Sequence, residues 1–184
     1  MEKIEDIQKR QKFALETHKD YVNRMHKFFG LQNHPGYCEV GIEGILSAGG
    51  FFYDPDTILV NNIYDDKKDI MFITSHECGH FLHPFARKEH YEGKRLKDFS
   101  EEDESLREMV THLGSIYYWA MKQGKKGIKN YYEHLLQKGY ESKSIVEASM
   151  AYRIFSADEN LTYLKKIANA DFAKSCDIIR PIGF

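Results

Sequence analysis

Ile70-Met71-Phe72-Ile73-Thr74-Ser75-His76-Glu77-Cys78-Gly79-His80 is the stretch from which the rest of the chain is read. Its four leading apolar residues, with Asp69 before them as the expected N-cap, predict a helix running to about His83, where Pro84 discourages continuation. On a helix, residues four apart share a face about 6 Å apart, so His76 and His80 can converge on one divalent ion. Glu77 projects beside that point, where a carboxylate can take a proton from water. Two imidazoles and an acid at this spacing imply a metal centre, with Zn²⁺ as cofactor and Glu77 as general base. The plain alternative is a helix with two exposed histidines and no metal.

A centre that does chemistry needs a third protein ligand and an open position. An HExxHxxGxxH continuation would require Gly at position 83 and His at position 86. The chain has His83 and Ala86 there, which excludes that arrangement. His83 also lies about 10 Å along the axis from His76, so it is expected to line the site or to pack at the helix end. A better donor is the helix expected from Ser100 to Gly124, with Asp103 three residues after its cap and three acids in its first turn. One stripe of it carries Glu104, Glu108, Thr111, His112 and Ser115; the opposite face carries Leu106, Val110, Leu113 and Tyr117. An acid on a helix built to face the core is costly unless paired or bound to metal. Glu108 is therefore the expected third ligand, with His112 one turn on to orient it. Glu104 is the alternative ligand, or else a first-turn acid that complements the helix dipole. Tyr117, Tyr118, Tyr131, Tyr132, His83, His90 and His112 are all candidates for stabilising a developing oxyanion, and none stands out.

Outward from the motif, residues 3–29 predict a long amphipathic helix, with Ile4, Ile7, Ala14, Tyr21, Val22, Met25 and Phe29 at three- and four-residue steps. Gly30 and Asn33-His34-Pro35-Gly36 end it, and it is expected to pack onto the domain. Between residues 37 and 62 the period becomes two: Cys38, Val40 and Ile42 alternate with Glu39, Gly41 and Glu43. Phe51-Phe52-Tyr53 and Thr57-Ile58-Leu59-Val60 flank the turn signal Asp54-Pro55-Asp56. This predicts a small antiparallel sheet of about three strands. After residue 126, helices are expected over about 127–138, 143–156 and 158–168. The whole, residues 1–184, is expected to form one α+β domain, mostly helical, with a three- or four-stranded sheet packed on the motif helix.

Composition narrows the function classes. A formal net charge of −2 gives no nucleic-acid footprint. Cys38, Cys78 and Cys176 form no CxxC pair, so neither a cysteine zinc knuckle nor a disulfide framework is indicated, and a reducing compartment is the simpler reading. The charged start MEKIEDIQKR has no apolar leader, and no apolar run reaches membrane-spanning length. A cytoplasmic location is expected.

On these residues the chain resembles the gluzincins, zinc peptidases whose third ligand is a glutamate on a following helix. Tyr53 to Asn61 and Ile73 to His83 resemble the small IrrE/ImmA-like metallopeptidases, which place a short sheet before an HExGHxLH helix. Leu106 to Ser115 looks more like the glutamate helix of ArdC-type antirestriction proteins, although His112 stands where those carry a second acid. The resemblance implies a zincin-like fold, Zn²⁺ on His76, His80 and Glu108, and hydrolysis of a peptide or protein substrate. Two other readings are a non-catalytic zinc-binding sensor or interaction module, and a latent enzyme blocked by its N-terminal helix or by Cys176.

Overall fold

The computed structural model describes residues 4–27, 37–40, 50–53, 57–60, 66–82, 101–137, 142–157 and 165–166. His83, His90, Cys176 and most of the helix expected over 158–168 lie outside these. Helix α1, Ile4–Tyr21, continues as a π-helical segment, Val22–Lys27. The apolar stripe anticipated for it turns inward: Ala14, Tyr21 and Met25 are fully buried. Asp20, near its end, accepts hydrogen bonds from Tyr118 (3.0 Å) and Lys122 (2.9 Å), and Arg24 pairs with it at 2.8 Å. These bonds tie α1 to the helix that carries Tyr118 and Lys122, so α1 is part of the core rather than an appendage.

Three strands follow: β1 (Tyr37–Val40), β2 (Gly50–Tyr53) and β3 (Thr57–Val60). Their order is β1-β3-β2; β2 runs antiparallel to β3, with Phe51 opposite Leu59, while β1 runs parallel to β3, with Cys38 opposite Ile58. The antiparallel expectation is therefore corrected for β1. The larger correction concerns class. The α+β, zincin-like architecture expected from sequence does not describe this molecule, whose described part is a helical fold. The reason is burial. The strands are four residues long and set Ile58 and Val60 in the core, while the helices and the turn after α2 supply the other buried apolar side chains among the described residues.

Helix α2, Lys67–His80, carries the motif. Its N-cap is Asp66, whose carboxylate accepts from the Lys68 amide at 2.8 Å, not Asp69. Asp69 is buried, 3.4 Å from His134 Nδ1, a partner of the kind that a buried acid requires. The helix closes at His80, earlier than expected; the amides of Phe81 and Leu82 turn back to the carbonyls of Cys78 and Gly79.

Helix α3, Glu101–Gln123, is the central element, and α2, α4 (Lys125–Gln137) and α5 (Ser142–Ala157) all pack against it. Gly124, at φ +61°, turns the chain from α3 into α4, a conformation that favours glycine. Trp119, Tyr117, Tyr118, Tyr131, Phe72 and Leu113 are among the largest fully buried side chains. Trp119 Nε1 donates to Ser75 Oγ at 3.1 Å, joining α3 to the turn of α2 just before His76. No helix among the described residues is long and apolar enough to cross a membrane.

Candidate metal centre

Helix α2 presents His76 and His80 one turn apart, with ring centroids 5.0 Å apart and planes nearly perpendicular. What faces them depends on how closely α3 can approach. A Cβ on Gly79 would lie 2.8 Å from the Thr111 carbonyl oxygen, so only glycine in the fourth position of the motif admits α3 at this distance. That approach brings Glu108 into range: Oε2 lies 3.3 Å from His76 Nε2 and Oε1 lies 3.8 Å from His80 Nε2. Glu77 Oε2 lies 3.8 Å from His80 Nε2. Donor atoms on a tetrahedral ion with bonds of about 2.0–2.1 Å sit about 3.4 Å from one another. The two separations from Glu108 lie close to that value, and imidazoles and a carboxylate are donor types that Zn²⁺ takes.

The Thr111 hydroxyl orients the His80 ring. Thr111 Oγ1 donates to the Arg107 carbonyl at 3.0 Å and lies 3.1 Å from His80 Nδ1. A hydroxyl has one proton. With that proton given to the carbonyl, the oxygen accepts from Nδ1–H, and the lone pair of His80 is on Nε2, toward Glu108 and Glu77. This is how an imidazole is oriented for metal ligation. Arg107 Nη2 reaches Glu104 Oε2 at 3.2 Å and Glu108 Oε1 at 3.3 Å, and so braces the Glu108 carboxylate from the other side.

The electrostatics follow from burial and from this crowding. Burial disfavours the charged form of Glu108, yet His80, the His76 hydrogen bond and Arg107 outweigh it and hold the carboxyl far below the ordinary range. Burial raises Glu77 to about 7, only partly offset by His76. Burial would lower His76, but its bond to Glu108 raises it, whereas desolvation takes His80 well below its usual value. Burial, with His76 alongside, lowers His112 to about 3.

His76, Glu77, His80, Glu108 and His112 are thus brought together. Among the described residues, two groups of donors lie within 4.8 Å of one another, His76–Glu77–His80 and His76–Glu108–His112. Glu104 belongs to neither and is engaged by Arg107. Of the oxyanion candidates, Tyr131 bonds His112 Nδ1 at 2.6 Å; Tyr118 is engaged by Asp20, Tyr132 by the Ala148 carbonyl, and Tyr117 packs on Phe155. Cys78 is fully buried.

Sequence reasoning missed Thr111 and Arg107 as supporting residues, although both lie within one turn of Glu108. It also missed Glu147 on α5, a buried carboxyl raised by desolvation, whose Oε1 has no hydrogen-bond partner among the described residues. Nothing in the local sequence marks Glu147, because its proximity to α3 is set by helix packing alone. No family model, curated protein or solved structure matches the chain.

Proposed function

We propose that the chain is a metal-dependent peptidase of gluzincin type, in which His76, His80 and Glu108 hold one divalent cation, Zn²⁺ by donor preference, and Glu77 is the general base. One observation carries this reading. A carboxylate from a separate helix lies 3.3 and 3.8 Å from the two motif imidazoles, with a second, buried carboxylate beside them. A purely structural centre would use the first carboxylate but has no need of the second.

When bound, the ion supplies Lewis acidity that polarises a scissile carbonyl and acidifies a water. Glu77, buried beside the two imidazoles, would accept a proton from the attacking water and return it to the departing amine nitrogen. Thr111 keeps the His80 lone pair directed inward, and Arg107 holds the Glu108 carboxylate in place. The substrate is a peptide or protein segment, held extended by backbone pairing along a strand edge, β1 or β2. The site of action is the cytoplasm, a reading that rests on the cysteine pattern.

Metal content and peptide cleavage of the parent, Glu77→Gln and His80→Ala proteins test the proposal. One metal per chain is expected in the parent and in Glu77→Gln, none in His80→Ala, with cleavage lost in both variants. A parent protein that retains no metal after zinc reconstitution overturns it.

A further inference from the structure

We propose that Tyr131 of α4 is a positioning residue for His76, acting through two rings that pack against that imidazole, Phe72 and His112. The inference rests on the metal-centre reading above, because it concerns how one of the ligands is oriented.

The two motif histidines are held by different means. His80 has the Thr111 hydroxyl 3.1 Å from its Nδ1. His76 has nothing equivalent, since its Nδ1 is buried without a hydrogen-bond partner among the described residues. Glu108 meets it at Nε2, so the plane of the ring is set by what packs around it. Besides His80, two rings do so. Phe72, one turn earlier on α2, stacks on it with centroids 6.4 Å apart and planes at 7°. His112, from α3, lies 5.1 Å away with planes at 57°. Both separations are within the range over which aromatic rings attract one another.

Tyr131 backs both of these rings. It is fully buried; its own ring lies 5.0 Å from that of Phe72, and its hydroxyl lies 2.6 Å from His112 Nδ1. A phenylalanine would fill the same core space, so the hydroxyl adds the bond to His112 and with it a hold on the second ring. One turn on, His134 packs 4.3 Å from Phe72 and is itself held by Asp69 at 3.4 Å. Helix α4 therefore grips Phe72 at two points and His112 at one. Residues that orient a ligand from behind are worth about 10- to 100-fold in metal affinity.

The test compares the full chain with Tyr131→Phe, which keeps the ring and removes the hydroxyl. Tyr132→Phe is the control, since it removes the neighbouring hydroxyl, bonded to the Ala148 carbonyl. Zinc affinity is read by competition with a chromophoric chelator, and the imidazole ¹⁵N shifts are read on metal-free, histidine-labelled protein. Tyr131→Phe is expected to bind zinc about 10- to 100-fold more weakly and to move the His76 nitrogen signals while those of His80 stay in place. Tyr132→Phe is expected to match the parent in both. Parent-like zinc affinity in Tyr131→Phe overturns the positioning role and leaves the metal centre standing. An equal loss in Tyr132→Phe also overturns it, because general loosening of α4 would then explain both. A parent that binds no zinc overturns the metal centre and this inference with it. Should Tyr131→Phe not fold, Phe72→Leu, which removes the ring that Tyr131 backs, gives the same two readings with the same outcomes.

Discussion

The two ends of α3 handle buried polarity in opposite ways. Toward its C-terminal end, polar groups meet complementary groups of the same chain: Tyr118 and Lys122 converge on Asp20, and the Trp119 indole donates to Ser75. Toward its N-terminal end, Glu108 and His112 meet the acid and imidazoles of α2, where metal-ligating donor atoms crowd into two groups that share His76. Such a set is costly in an interior unless a cation completes it. One helix therefore acts as a clamp at one end and as half of the candidate metal centre at the other.

That contrast can be broken most strongly at Gly79, where the two functions meet. Gly79→Ala puts a methyl group 2.8 Å from the Thr111 carbonyl oxygen, and backbone cannot yield cheaply there. A loss of roughly 1–3 kcal/mol in unfolding free energy is expected, together with weakened metal binding as α3 is pushed away from His80. Denaturant melts and metal titration on the same sample check both. An intact affinity would mean that helix approach does not set the site.

Thr111→Val sharpens the contrast by keeping the shape and removing the hydroxyl. Zinc affinity should fall about 10- to 100-fold, the usual cost of removing a residue that orients a ligand, while the melting temperature moves little. Competition with a chromophoric chelator reads the affinity. Equal affinities would remove Thr111 from the site.

Asp20→Asn, at the clamp end, has the smallest expected effect, roughly 0.5–1 kcal/mol, and should leave metal binding unchanged. It also carries a pH signature. Burial alone would raise the Asp20 carboxyl, but Lys122, Arg24 and Tyr118 together hold it below its ordinary 3.8. A depressed carboxylate stabilises the fold above the unfolded value, and that contribution is lost as pH falls through the folded one. The gap in melting temperature between parent and variant should thus be full at neutral pH and shrink below about 3.8. A constant gap would mean that the carboxylate charge does not matter.

Local pattern was informative wherever a helix is long and its neighbours in sequence decide its face. The inward stripe of α1, the apolar face Leu106, Val110, Leu113 and the interruption near Gly124 were legible in this way. The cap of α2 was not, because Asp66 and Asp69 are equally good local candidates and only the position of His134 draws Asp69 inside. The weight given to the sheet was misleading for a related reason: alternation marks a strand but does not reveal how short it is, and each strand here is four residues long.

From sequence alone come the pairing of His76 with His80 on one helical face, the acid between them, and an α3 whose polar stripe includes Glu108. These depend only on helical spacing and residue chemistry. That Glu108 reaches both imidazoles, that Thr111 sets the His80 tautomer, and that His112 stands beside His76 were decided by tertiary structure. They depend on how closely two helices approach, and Gly79 permits that approach only in the presence of the particular backbone it faces.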